Sequence, residues 1–195
     1  MVDDYTVREQ NLLNLAKNGG FKFTDKFFLY TSGKIGPYFV QSIDICKNGA
    51  DYAWAIDSMK NLILHEIGNC EFDVISGGES RDWDFSNPVA VALQKPHTKL
   101  YKDKDPIGAS IRDKIVLHVA DLNNEGSSPR DLWVPQIKKQ GGHIFDIVFF
   151  VDRNEEGTNV VKELGLESHA VITLNKDAWQ ILLDKNYVTL QVYNS

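Results

Sequence analysis

Cysteine is scarce in this chain: Cys46 and Cys70 are the only two in 195 residues, and neither stands in a Cys-x-x-Cys pair or beside paired histidines. That spacing indicates neither a disulfide framework nor a zinc site. Long apolar runs are missing as well, since nothing approaches the roughly 20 consecutive residues that a membrane span requires. The start, MVDDYTVREQ, is acidic and polar, unlike a signal peptide. A cytoplasmic protein without a membrane partner is expected. Basic charge is in deficit, with 21 Lys and Arg against 27 Asp and Glu and a net charge of −6. Such a balance offers no general field for polyanions and argues against a nucleic-acid partner. An anionic ligand must then be held locally, by backbone amides, a helix N-terminus or single Arg and Lys residues. Repeats, low-complexity tracts and Pro/Ser-rich linkers are also lacking. With 43% hydrophobic residues, a single domain over residues 1–195 can bury an adequate core.

What is present is an alternation of periodicities. Residues 7–17 set Leu12, Leu13, Leu15 and Ala16 on a helical stripe that stops at Asn18-Gly19-Gly20. Residues 21–46 are aromatic and β-branched, with breaks at Ser32-Gly33 and Gly36-Pro37, and predict short strands joined by turns. Helices are then predicted over 51–67, 85–93, 129–139, 158–164 and 176–183, and strands over 72–76, 99–102, 114–120, 144–151 and 170–173. Strands separated by helices imply right-handed crossovers and an α/β fold in three layers, a parallel sheet of about five strands covered on both faces. Residues 1–49 and the C-terminal tail, including the apolar stretch 187–193, are expected to make a small hood. Ligands of such sheets bind beyond the carboxyl ends of the strands, which directs attention to the loops after Ser76, Ala120 and Val151.

Several segments there could carry chemistry. After the apolar strand Ile115-Val116-Leu117-His118-Val119-Ala120 come Asp121 and the polar turn Asn123-Asn124-Glu125-Gly126-Ser127-Ser128, then Pro129 at the first position of a helix. Free amides, serine hydroxyls and a helix dipole converging on one point suit a phosphate, and Ser128 serves equally well as a simple N-cap. The segment Gly77-Gly78-Glu79-Ser80-Arg81-Asp82 follows another strand. Its paired glycines allow a close approach of backbone to ligand, and Arg81 offers a planar fork to phosphate oxygens or pairs with Glu79, Asp82 or Asp84. Arg153, at the mouth of a third strand, is placed for bidentate recognition of a carboxylate or pairs with Asp152, Glu155 or Glu156. His118 reads as a satisfied core residue. The remaining histidines show no metal-ligand grouping, and no protein metal site is expected.

In this order, over nearly the whole chain, these segments resemble the type I phosphoribosyltransferases, and most of all the orotate phosphoribosyltransferases. The resemblance implies that residues 123–128 wrap the 5′-phosphate of phosphoribosyl pyrophosphate (PRPP). It also implies that Asp121 faces the ribose hydroxyls, that Gly77, Gly78, Glu79, Ser80 and Arg81 cradle pyrophosphate, and that Arg153 grips the carboxylate of the base. Residues 27–39 match the hood that covers a planar base, with Lys34 and Phe39 as its candidate contacts. Residues 100–108 match a loop that closes over PRPP from a neighbouring subunit, which implies a homodimer with Lys102 on that loop. Asp121, Lys102 and Arg81 are then the catalytic candidates, and Mg²⁺ arrives with PRPP. The chain departs from the family pattern at Ala120, which replaces the first acid, and at Asn123 and Asn124, which replace threonines. Glu125 adds a negative charge, Thr31 and Tyr101 stand for a lysine and an arginine, and the loop histidine is missing. The expected function is transfer of a phosphoribosyl group from PRPP to a pyrimidine or related base with release of pyrophosphate. The rival is a protein that kept the scaffold and binds a nucleoside 5′-monophosphate or phosphate ligand as a sensor or regulatory partner.

Overall fold

The structure, a computed structural model, describes residues 4–29, 35–154 and 156–190, with residues 4, 5, 23–29, 35–37 and 156–158 described as backbone. Lys34 and the end of the apolar tail lie outside the described residues.

The most apolar predicted segments become strands because their side chains have two cores to enter. Strand β7 (His143–Asp152) sends Ile147 and Phe149 into one core and Val148 and Phe150 into the other. A strand buried on both faces reads as a continuous apolar run rather than an alternation. The sheet also contains β3 (Val74–Gly78), β4 (His97–Leu100), β5 (Ile107–Gly108), β6 (Ile115–Asn123) and β8 (Glu167–Thr173). Their order is β5-β4-β3-β6-β7-β8. All neighbours are parallel except β5, which pairs antiparallel with β4 at the edge. The expected parallel sheet of five strands is therefore present, with a sixth two-residue strand where a loop was expected.

Helices α1 (Asp4–Lys17), α2 (Gly49–Glu66), α3 (Trp83–Leu93) and α6 (Lys176–Asp184) cover one face through Leu15, Met59, Phe85 and Leu182. The other face carries α4 (Val134–Lys139) and α5 (Glu156–Glu163), through Ile137 and Val161. A short antiparallel pair, β1 (Phe21–Leu29) with β2 (Ile35–Val40), precedes a 3₁₀ turn over Ser42–Lys47. Trp179 of α6 packs edge-on against Phe21 and Tyr38 of that pair, with centroids 6.1 and 4.8 Å apart.

Two helices contain prolines, and both show how the missing N–H is handled. In α3, Pro88 cannot donate to the carbonyl of Asp84, and the Tyr52 hydroxyl donates to it instead. At the start of α4, Pro135 cannot donate to Asp131, and the ladder ahead of it is a π-turn over Pro129–Trp133, closed by Val134 N–H on Pro129 O.

Candidate functional site

The loops singled out from sequence meet at the carboxyl ends of β3, β6 and β7. Strands β3 and β6 are paired as far as Ser76 and His118. Beyond that point the Asp82 carboxyl takes over, with Oδ2 accepting Gly78 N–H and Oδ1 accepting Asp121 N–H, each at 3.0 Å. Asp82 is 8% exposed. Burial first, and then the neighbouring Asp121 carboxylate, push its carboxyl well above the usual range. Sequence reasoning assigns Asp82 no role beyond a surface partner for Arg81. An acid just ahead of a helix is the only local signal, and it does not reveal burial.

Asp121 accepts a 2.6 Å hydrogen bond from Ser42 Oγ, and Arg81 Nε lies 3.6 Å from its Oδ2. Arg81 also donates to Gln41 Oε1 at 3.4 Å. Its observed neighbours are thus Asp121 and Gln41 rather than Glu79 or Asp84, and its half-exposed side chain stands between the loop after β3 and the acid after β6. Beneath them His118 is fully buried, with Nδ1 2.9 Å from Ser76 Oγ and Nε2 3.7 Å from Asp82 Oδ2. Burial pushes its pKa down to about 3, so the imidazole is neutral. The expectation of a satisfied core histidine holds for Nδ1; Nε2 makes no hydrogen bond among the described residues.

The paired glycines have a reason different from the one expected. Gly77 and Gly78 are the last residues of β3 and are buried. A Cβ on Gly77 would meet Ser86 Oγ at 2.1 Å, and one on Gly78 would meet the Trp133 indole at 2.2 Å. Close packing of protein on protein demands them here. The loop proper is Glu79, Ser80 and Arg81, with Ser80 exposed and a cis peptide between Glu79 and Ser80.

In the loop after β6, Asn123 is buried at the strand end and donates through Nδ2 to Asp152 Oδ2 at 3.1 Å, so it is a structural tie rather than a loop contact. Gly126 has φ +67°, a conformation that favours glycine, and its carbonyl accepts Arg130 N–H at 3.0 Å to begin the helix. Ser128 makes no side-chain cap, and Ser127 and Ser128 are both exposed at the helix start, beside exposed Asn124 and half-buried Glu125. The N-cap alternative is therefore not what the structure shows.

Arg153 is 6% exposed. Its guanidinium lies 4.6 Å from the Tyr38 ring centroid, and Nη1 is 3.5 Å from Asn124 Oδ1. The hood residue that meets it is Tyr38; its strand neighbour Phe39, the residue singled out from the sequence, points to the other face of the strand by alternation.

Residues 101–106 connect β4 to β5 beside the loop after β3, where Lys102 N–H donates to Glu79 Oε2 at 3.0 Å. Leu100, Ile107 and Gly108 belong to strands at the sheet edge, so the loop predicted over residues 100–108 spans 101–106.

No protein-family model matches the chain. Over 168 residues it is 28% identical to the orotate phosphoribosyltransferase of Staphylothermus marinus, covering 83% of this chain and 79% of that protein. In three dimensions it matches the orotate phosphoribosyltransferase of Aeropyrum pernix with a TM-score of 0.76 and 18% identity, covering 90% of this chain and 99% of that one. It also matches the UMP synthase of Leishmania donovani with a TM-score of 0.84 and 17% identity, where 95% of this chain spans 40% of the longer one. The chain has the fold of the type I phosphoribosyltransferases. Within this fold, the acid after β6, the loops after β3 and β6 and the arginine after β7 occupy one mouth. Position 120, an alanine of β6, supplies no second acid and is buried in the core on the α4 and α5 side.

Proposed function

We propose that the protein transfers a phosphoribosyl group from PRPP to orotate or a closely related pyrimidine, releasing pyrophosphate. The observation that carries this reading is the convergence of Arg81, Asp121, residues 124–128 and Arg153 at the ends of three adjacent strands, together with relatives that bear that name.

Each part has a chemical task. The helix start at residues 126–128, with the exposed hydroxyls of Ser127 and Ser128, takes the 5′-phosphate. Asp121, oriented by Ser42 and by its own N–H on Asp82, accepts from the ribose hydroxyls. Arg81 and Lys102 stand with Glu79 and Ser80 around the pyrophosphate. Arg153, 4.6 Å from the Tyr38 ring centroid, presents a guanidinium suited to a planar carboxylate. C1 of the ribose acquires cationic character as pyrophosphate leaves, so the protein accelerates the step by positioning and by charge stabilisation.

Among the described residues no three metal-ligating side chains cluster. The Asp121 carboxylate, 6% exposed beside the loop after β3, would be the one protein ligand of Mg²⁺, which binds through one or two carboxylates plus substrate oxygens. Mg²⁺ held there with PRPP would neutralise the diphosphate oxygens. A homodimer in the cytoplasm accompanies this reading, with light scattering as its check, and no helix of the described residues is long and apolar enough to cross a membrane.

The test is PRPP-dependent consumption of orotate, with uracil as the base that lacks the carboxylate. Turnover of orotate but not uracil, lost in Arg153→Leu, supports the proposal. Orotate consumption that is absent at saturating Mg²⁺ and PRPP refutes it, and binding of PRPP without turnover would favour the sensor instead.

A further inference from the structure

We propose that Trp179, on the last helix, is a positioning residue of the base subsite: acting through Tyr38, it holds the Arg153 guanidinium at the angle from which it receives the carboxylate of the base. This rests on the phosphoribosyl transfer proposed above and names a determinant of its base preference.

The backbone at Arg153 is fixed on both sides. Arg153 N–H donates to Asn123 O at 3.0 Å, and the carbonyl of the preceding Asp152 accepts Leu174 N–H at 2.9 Å. The Asp152 carboxylate accepts Asn123 Nδ2 at 3.1 Å and Asn154 N–H at 2.7 Å. A fixed backbone still leaves a long arginine side chain many rotamers, and its planar fork selects a carboxylate only when plane and edge are held. The Tyr38 ring, 4.6 Å from the guanidinium, flanks its face, and Nη1 donates to Asn124 Oδ1 at 3.5 Å along its edge.

Tyr38 needs support of its own. It lies on β2, one half of a two-stranded sheet, and such a pair is marginal unless it packs against another element. Helix α6 is that element. Phe21 pairs with Val40, two residues along β2 from Tyr38, so Phe21, Tyr38 and Val40 share one face of the pair. On that face the Trp179 indole meets Tyr38 at an interplanar angle of 72° and Phe21 at 64°, bracing both strands at once. The indole has a firm seat, because Asn175 Oδ1 caps α6 by accepting Ala178 N–H at 2.9 Å and both Ala178 and Leu182 are buried in the core. Arg153 and Trp179 are also referred to one point of the sheet. Asp152 precedes Arg153 directly, and its bond from Leu174 N–H sets where the chain leaves β8 for α6. The order Trp179, Tyr38, Arg153 thus runs from the C-terminal helix into the base subsite.

Calorimetry with orotidine 5′-monophosphate and uridine 5′-monophosphate isolates the effect, because the two ligands differ only in the carboxylate on the base. Trp179→Leu fills the seat without a ring. It should lower the preference for the carboxylated nucleotide by roughly two- to tenfold, the value of one edge-on aromatic pair, and leave the uridine nucleotide unchanged. Trp179→Phe keeps a ring against Tyr38 and should keep most of the preference. Adding Trp179→Leu to Tyr38→Leu should cost nothing further, since residues that act through one another are not additive. In turnover, Trp179→Leu should raise the KM for orotate and not that for PRPP. An equal loss for both nucleotides, a phenylalanine variant no better than the leucine one, or losses that add would reduce Trp179 to a packing residue and overturn the proposal. A second measurement needs neither ligand nor turnover. The ring current of Tyr38 shifts the Arg153 side-chain resonances upfield, and Trp179→Leu should move them towards those of a solvated arginine while Trp179→Phe does not. Unmoved resonances in Trp179→Leu overturn the proposal. A wild type that binds both nucleotides equally, or neither, refutes the grip on the carboxylate instead, and the resonances then decide whether Trp179 positions Arg153.

Discussion

Replacing Asp82 tests the junction between the two half-sites. In Asp82→Ala, the amides of Gly78 and Asp121 lose the acceptors that now stand 3.0 Å away. An orphaned buried donor costs about 1–3 kcal/mol, so the pair amounts to about 2–6 kcal/mol. That is a large fraction of the roughly 5–15 kcal/mol that holds a domain folded. Asp82→Asn preserves an acceptor for one amide and should lose about half as much. The pH dependence separates the charge state from the geometry. Burial and the Asp121 carboxylate raise the folded pKa of Asp82 above its unfolded value. The folded state then binds the proton more tightly, so this contribution is fully present below the unfolded pKa of about 4 and is lost as pH rises towards the folded pKa. The side-chain amide introduced by Asp82→Asn does not titrate. The stability deficit of that variant, measured by urea unfolding, should therefore be greatest near pH 4 and shrink towards neutrality. A deficit that grows with pH would mean that Asp82 is folded as a carboxylate facing His118, and the assignment of a raised pKa would be wrong.

Glu125→Thr should tighten PRPP or a nucleoside 5′-monophosphate by removing a negative charge from a half-buried position at the helix start, while Asp121→Asn should weaken ligands that present ribose hydroxyls. Calorimetry on the wild type and both variants checks this, and unchanged affinity in both would make the loop structural. Gly78→Ala drives a methyl to 2.2 Å from the Trp133 indole and should lower stability by about 1–3 kcal/mol in thermal melts; a neutral result would show that the helix after residue 128 yields easily. Tyr52→Phe removes the hydroxyl that donates to Asp84 O at the Pro88 gap and should cost about 1 kcal/mol of stability, read by urea unfolding. No loss there would mean that water fills the gap as well.

Much of the architecture was legible in the chain because its signals are local. The apolar runs around Val148 and Val116 and the glycine stops at Gly19-Gly20 and Gly141-Gly142 each act within a few residues, and so does Pro129 at a helix start. They suffice for a parallel sheet with helices on both faces, and they brought Asp121, Arg81 and Arg153 to strand ends. The family resemblance added the order of the loops. Tertiary structure alone decided which of those ends lie side by side, since the order β4-β3-β6-β7-β8 is set by non-local pairing that leaves no mark in a short window. That order brings Asp82 across to Asp121 N–H, 39 residues away in sequence, and ties Asn123 to Asp152 rather than to the phosphate loop. The hood was decided the same way, because Tyr38 and Phe39 are equivalent in composition and only the register of β2 turns Tyr38 towards Arg153. The charge state of Asp82 follows from burial beside a second carboxylate, an environment created by the packed sheet and absent from the unfolded chain.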